Sequence, residues 1–324
     1  MSNFERTAGA SSVAGQQEKW KVAIIGSGNW GSAIAKIVGQ NAEQQPELFD
    51  PSVTMWMYQE EFEGRPLTEQ FNEKHENVKY LPGVKIAKGV VAEPDLVKAC
   101  EGANALIFVT PHQFIPSICK QLHGKLPKGA RAISLVKGVD VHEDKIHIFS
   151  EVIEEHLGVS CAALSGANIA NEVARDAFSE TTIGCRNKED GERWVKLFHT
   201  NHFRVSLTDD VLGVSLAGAL KNVVAVAAGL VDGMEMGNNA KAAIMRIGLM
   251  EMKKFSKEFF EGIRDATFVE ESCGIADLIT SSLGGRNRQC AEAFVTSGKS
   301  FDQLEEEMLK GQKLQGVQTA RELH

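Results

Sequence analysis

Short apolar runs alternate with helical stretches along the first two-thirds of the chain. Residues 21–25 (KVAII) are apolar, β-branched and stopped by glycine, which predicts a strand. Residues 53–57, 105–109, 132–136 and 161–164 read as further buried strands. Helical patterns fall at 32–38, 111–122 and 145–156. This β-α alternation predicts a doubly wound, mostly parallel sheet. Residues 181–185 and 203–207 are candidates for added edge strands.

The texture changes after about residue 207. No strand pattern follows, and helical blocks are expected at 211–231, 240–260 and 301–310. Ser300, with Gln303 three residues on and Gly311 as a stop, has the signature of a capping box. Residues 214–231 (VSLAGALKNVVAVAAGLV) are apolar for 18 positions. Lys221 and Asn222 sit near their middle, where a charge is costly in lipid, so a buried helix is expected rather than a membrane span. The division is therefore a polar tail (1–20), an α/β unit (21–207) and an all-helical unit (208–324). The tail lacks the apolar core of a secretory signal.

Charge and cysteine usage narrow the function classes. The chain has 35 Lys and Arg against 43 Asp and Glu, a formal net charge of −8, so nucleic acid or an anionic membrane is a poor partner. An anionic ligand must meet a local basic cluster. The six cysteines form no C-x-x-C and no zinc pattern, which suggests free, mostly buried thiols in a reducing compartment and no metal site.

Gly26, Ser27, Gly28, Asn29, Trp30 and Gly31 spell G-x-G-x-x-G between a predicted strand and a predicted helix. In that setting the motif means dinucleotide binding: Gly26 for the tight turn, Gly28 for close backbone approach to a pyrophosphate, Gly31 for helix–strand packing. The alternative is an ordinary glycine-rich turn. After the second strand come Tyr58, Glu60 and Glu61, with no arginine before Arg65. An acid there would bond the ribose 2′-hydroxyl and repel a 2′-phosphate, which favours NAD over NADP. Tyr58 is either a strand-end aromatic or a platform at the adenosine side.

Four basic positions lie near expected strand ends or helix starts: Lys137, Lys221, Arg286 and Lys313. Lys137 follows a buried strand and is either an anion or carbonyl ligand or a solvated loop charge. Lys221 is either desolvated, with a pKa lowered toward that of a proton donor, or snorkels to the surface. Asp277, amid apolar neighbours, is either its partner or a helix cap. Arg286, in Gly284-Gly285-Arg286-Asn287-Arg288, joins backbone freedom to a guanidinium suited to phosphate, or is an exposed basic turn. The nine histidines show no metal pattern, and His112 reads as structural.

Together these segments resemble the eukaryotic type of NAD-dependent glycerol-3-phosphate dehydrogenase. The matching strings are VAIIGSGNWGSAIAKIVG, HENVKYLPG, IFVTPHQF, SLVKGVD, SGANIANEVA, ETTIGC, GALKNVVAVAAG, ESCGIADLIT, GGRNR and GQKLQG, in the family's order. The resemblance implies a Rossmann-like sheet followed by a helical substrate domain, a cytoplasmic homodimer, and reversible reduction of dihydroxyacetone phosphate by NADH. It implies that residues 26–31, Tyr58, Phe114, Ala170, Lys137, Arg286, Lys313 and Gln315 meet the cofactor. Lys221 is the implied proton donor, assisted by Lys137, Asp277 and Asn222. Lys137, Arg286, Asn287, Ser281 and Asn168 are the implied substrate ligands. Ser281 stands where many relatives have threonine, and its hydroxyl is retained. The final residues QTARELH read as the start of a helix that relatives continue, and Glu322-Leu323-His324 is not a peroxisomal tripeptide. A different Rossmann dehydrogenase, of the hydroxyacid or 6-phosphogluconate kind, and a non-catalytic nucleotide sensor are the competing readings.

Overall fold

The structure is a computed structural model, and it describes residues 18–142, 145–309 and 313–323. Most of the expected polar tail therefore lies outside the described residues, as does Gly311. The chain opens with β1 (Val22–Ile25), α1 (Asn29–Gln44) and β2 (Val53–Trp56). A short ribbon of β3 (Glu61–Phe62) and β4 (Arg65–Pro66) leads to α2 (Leu67–Lys74), β5 (Val90–Glu93) and α3 (Leu96–Ala99). Then come β6 (Ala105–Phe108), a 3₁₀ turn at His112–Phe114, α4 (Ile115–Leu122) and β7 (Arg131–Ser134). A hairpin, β8 (Val139–His142) and β9 (Lys145–Ile148), precedes α5 (Phe149–Leu157) and β10 (Ser160–Ala167). The sheet is completed through α6 (Ala170–Ala174), β11 (Ser179–Gly184), α7 (Lys188–Phe198) and β12 (Phe203–Thr208).

Eight strands pair in the order β12-β11-β10-β7-β6-β1-β2-β5. All pairs are parallel except β10–β11. Six of the strands follow the doubly wound order in which the direction of winding reverses beside β1. In such folds ligands bind in a crevice at that reversal, outside the C-terminal ends of the strands. Alternation within β1 explains why both faces are covered. Val22 and Ile24 enter a core with Ile34, Val38 and Trp194, while Ala23 and Ile25 enter one with Ile115, Ile118 and Ile153. All four β1 residues are fully buried, as parallel sheets flanked by helices require.

From residue 211 the described chain is helical: α8 (Val211–Gly233), α9 (Gly237–Phe259), α10 (Asp265–Val269), a π turn at Ser272–Ala276, α11 (Asp277–Gly284), α12 (Arg286–Ser297), α13 (Phe301–Leu309) and α14 (Gln315–Glu322). The π turn is of the kind that often marks functional sites. Around α8 pack α9, α11, α12 and α14, and its other side rests on β10. It is the one helix among the described residues long and apolar enough to cross a membrane, but 72% of its apolar window is buried inside the fold. The capping box forms: Gln303 N–H donates to Ser300 Oγ at 3.3 Å, and Ser300 N–H donates to Gln303 Oε1 at 3.0 Å.

One element departs from its expected type. Residues 145–156 were expected to be helical, but the first four form β9, paired antiparallel with β8. Val139 and Ile148 are directly opposite each other and both enter the helical core around α8. A four-residue run of period two is too short to be distinguished from helix by its apolar pattern alone.

Candidate active site

The glycine turn lies at the mouth of the crevice. Gly26 has φ +123°, and a Cβ there would meet Thr110 Cγ2 at 2.9 Å and the Val109 backbone at 3.0 Å. A Cβ on Gly31 would come to 2.5 Å of the Gly26 carbonyl oxygen, so α1 could not seat against β1. Gly28 differs: nothing lies within 4 Å of where its Cβ would be, which leaves open space at the α1 N-terminus. The first turn of α1 carries no acidic residue and Gly28 supplies no side-chain cap. The uncapped N–H groups suit a pyrophosphate.

Two exposed aromatic rings follow the strands on either side of β1. Tyr58, just past β2, is 71% exposed, and Phe114, at the end of the 3₁₀ turn, is 49% exposed. Exposed rings of that size at a crevice rim are available to stack on a flat ligand. Trp30 and Ala170 instead pack on Ala33, Leu81, Val84 and Ala174, so Trp30's ring supports the turn from beneath. Ser27 is 9% exposed and its carbonyl accepts a hydrogen bond from Asn77.

The two acids after β2 have different surroundings. Glu60 forms an ion pair with Lys79 and accepts from the Tyr80 hydroxyl at 3.2 Å. Glu61 enters the exposed β3–β4 ribbon. Glu60 still stands after β2, where an acid that repels a 2′-phosphate is expected, but it shares its carboxylate with Lys79 and Tyr80. Lys79 comes from the HENVKYLPG segment, whose position over the turn local pattern could not reveal.

Beyond the crevice, three helical-domain groups converge on the end of β7. Asp277 accepts from Lys221 Nζ at 2.6 Å on Oδ1 and from Lys137 Nζ at 2.7 Å on Oδ2. Lys137 also donates to the Gly166 carbonyl at 3.2 Å. Lys221 makes a second, short hydrogen bond to Ser281 Oγ. Lys221 and Asp277 are buried, while the Lys137 side chain is 24% exposed. Lys221 therefore does not snorkel, and Asp277 is no simple helix cap: it joins two lysines that are 84 positions apart.

Burial brings the Lys221 pKa down to about 8, with Lys137 acting in the same direction and Asp277 opposing. An ammonium of that acidity is protonated at neutral pH yet releases its proton far more readily than an exposed lysine. Close approach of α8 allows the arrangement. A Cβ on Gly218 would lie 2.5 Å from Ser165 Oγ and 3.5 Å from Lys137 Cγ.

An amide relay ties the helical segments together. Asn287 Nδ2 donates to Asn222 Oδ1 at 3.1 Å, and Asn287 Oδ1 accepts from Gly316 N–H at 3.0 Å. Arg286 is exposed in the first turn of α12, one residue from this relay. Backbone freedom at Gly285 is not what the GGRNR segment uses: its φ is −69°, and a Cβ would collide with the Ser281 carbonyl. Arg288 is directed elsewhere, to Asp232 at 2.6 Å.

Other expected residues bond outside the lysine pair. Lys313 donates to Glu305 at 2.7 Å, and that bond raises its pKa. Gln315 opens α14, half-buried, beside Gly316. Asn168 donates to the Glu180 carbonyl at 2.9 Å, and its own buried Oδ1 has no partner within the protein. His112 stacks near Phe149 at 5.5 Å. All six cysteines are free and buried. Burial pushes the Cys100 and Cys119 thiols up to about 12, which leaves them poor nucleophiles.

Comparison with known proteins follows the same division. Residues 21–191 match the family model described as the N-terminus of NAD-dependent glycerol-3-phosphate dehydrogenase, and residues 210–324 match that of its C-terminus. The cytoplasmic NAD(+) glycerol-3-phosphate dehydrogenase of Rattus norvegicus is 57% identical over 305 residues, covering 94% of this chain and 87% of the rat protein. That of Cuphea lanceolata is 55% identical over 308 residues, 94% of this chain and 82% of its own. The solved glycerol-3-phosphate dehydrogenase of Saccharomyces cerevisiae superposes with a TM-score of 0.89 at 46% identity, over 95% of this chain and 90% of that one. A 2-dehydropantoate 2-reductase from Porphyromonas gingivalis, 13% identical with a TM-score of 0.56, shares the fold alone.

Proposed function

The chain belongs to the family of NAD-dependent glycerol-3-phosphate dehydrogenases, and from that premise we propose that Lys221 is the proton donor and acceptor of the family reaction in this protein. The reaction is the reversible NADH-dependent reduction of dihydroxyacetone phosphate to sn-glycerol 3-phosphate. The observation that carries the assignment is the bridge from buried Lys221 through Asp277 to Lys137, which follows β7 at the same edge of the sheet as the glycine turn after β1.

NADH, when bound, supplies the hydride that reaches C2 of the ketone. The protein's contribution is positioning and charge. The cradle fits the cofactor: Gly28 leaves space for the pyrophosphate, and Tyr58 and Phe114 offer flat apolar faces. Arg286 and Asn287, at the start of α12, hold the substrate phosphate in this reading. The relay through Asn222 fixes where that phosphate stands relative to Lys221. Lys137 and Lys221 polarise the carbonyl oxygen, and Lys221 gives it the proton. In the reverse direction, neutral Lys221 takes the proton from the alcohol.

Asp277 holds both ammoniums in place and opposes the effect of burial on Lys221. Ser281 fixes the Lys221 amine from its other side. Asn168 offers its unpartnered Oδ1 to a substrate hydroxyl. Ala170 stays at the cofactor side, and Lys313 and Gln315 meet the bound ligands in this reading. Residues 21–207 then form the cofactor unit and 208–324 the substrate unit, in a homodimer. The rat and fly relatives are named cytoplasmic, and this chain is assigned to the same compartment.

Absorbance at the NADH band is expected to fall when dihydroxyacetone phosphate is added, with one NADH consumed per product formed. Tight NADH binding without consumption would instead favour a nucleotide sensor.

A further inference from the structure

The HENVKYLPG segment crosses the glycine turn and ends against the acidic stretch after β2. Asn77, fully buried, donates from Nδ2 to the Ser27 carbonyl at 2.8 Å and to Ser32 Oγ at 2.9 Å. Three residues later the Tyr80 carbonyl accepts from Asn29 Nδ2 at 2.7 Å. These anchors attach the intervening backbone to the same turn that faces the pyrophosphate. The turn itself is tied to β2, because the Gly26 N–H donates to the Trp56 carbonyl at 3.3 Å. Lys79 and Tyr80 thus project from a fixed brace toward the end of β2. In a doubly wound fold that end is where the adenosine ribose lies.

There the two side chains share one carboxylate. Lys79 pairs with Glu60, the Tyr80 hydroxyl donates to the same oxygen, and the Lys79 ammonium lies 4.9 Å over the Tyr80 ring. Lys79 and Glu60 are 31% and 23% exposed, so both remain open to a ligand from the crevice side. An ammonium held beside a ribose would normally favour a 2′-phosphate. Here a carboxylate already occupies it.

We propose that Glu60 selects NAD over NADP by keeping Lys79 neutralised beside the adenosine ribose. The inference rests on the cofactor reading above and adds the residue that rejects the phosphorylated form. Two effects act together. The carboxylate repels an incoming 2′-phosphate, and the Lys79 ammonium that would bind the phosphate is held by a charge-assisted hydrogen bond. Removing the carboxylate alone leaves the brace intact and frees the lysine.

Glu60→Gln is nearly isosteric and tests this by binding as well as by turnover. The unsubstituted protein and the variant are titrated with NADH, with NADPH and with adenosine 2′,5′-bisphosphate, followed by calorimetry. The unsubstituted protein should prefer NADH by about tenfold or more. In Glu60→Gln the ratio of NADPH to NADH affinity should rise at least about fivefold, as expected when a charge-assisted contact is gained, and adenosine 2′,5′-bisphosphate should tighten with it. Adding Lys79→Met to Glu60→Gln should abolish both gains. An unchanged ratio in Glu60→Gln, with NADH still bound by the unsubstituted protein, overturns the inference and leaves the cofactor reading standing. A gain that persists in the double variant overturns the role of Lys79. Failure of the unsubstituted protein to bind NADH removes the cofactor reading and this inference together.

Discussion

Lys221→Met is expected to lower kcat and kcat/KM for dihydroxyacetone phosphate together, by about 10²-fold or more, the usual contribution of a positioned general acid. Methionine keeps most of the stem's length and removes the charge. Lys221 is buried, so an apolar replacement is compatible with the packing of Leu220, Val224 and Ala225 on α8. Asp277 retains Lys137 at 2.7 Å and is not left as an unpaired buried charge. The variant should therefore fold, and its melting transition checks that. NADH affinity should change little, because the glycine turn and the exposed rings belong to other elements. Near-normal turnover in Lys221→Met would move proton donation to Lys137.

The second large effect is expected at the phosphate. Arg286→Ala removes an exposed guanidinium at the start of α12 while leaving Asn287 bonded to Asn222 and Gly316. A fork that binds phosphate supplies roughly 2–3 kcal/mol, so kcat/KM should fall by about 30- to 160-fold. The signature that separates binding from folding is substrate preference. Unphosphorylated dihydroxyacetone makes no use of the guanidinium, so its slow turnover should be nearly unaltered, and the preference for the phosphorylated ketone should shrink by the same factor. A kcat/KM within about twofold of the unsubstituted value would identify Arg286 as a surface residue.

Local pattern revealed the sheet and the cradle because each is written in contiguous residues. The strand, glycine turn and helix of residues 22–44 follow one another directly, and Gly26 and Gly31 each have a steric reason. The oddity of Lys221 was legible too, as a charge in an apolar helix. Its partner was only one possibility among several, since Asp277 lies 56 residues away and reaches Lys221 through the π turn and α11. The hairpin of β8 and β9 was misread because KIHI suits either period over four residues. The partners of Glu60 were hidden for a different reason. Its role depends on Lys79, and only the folded brace through Asn77 and Asn29 brings the two together. Likewise the sequence offered Lys313 only as a basic position near a helix start, and its bond to Glu305 on α13 appears only in the fold.

Proton transfer from Lys221 is the central claim, and the pH dependence of kcat/KM for dihydroxyacetone phosphate reduction tests it most directly. This parameter reports the ionisation of the free protein, in which burial sets the Lys221 pKa at about 8. The protonated amine is the acid, so it is present below that pH and lost above it. The profile should be level on the acid side of about 8 and fall by about tenfold per pH unit beyond it. In Lys221→Met the residual activity should lack that limb. A native profile with no fall near 8, or a limb that survives unchanged in Lys221→Met, would contradict the account.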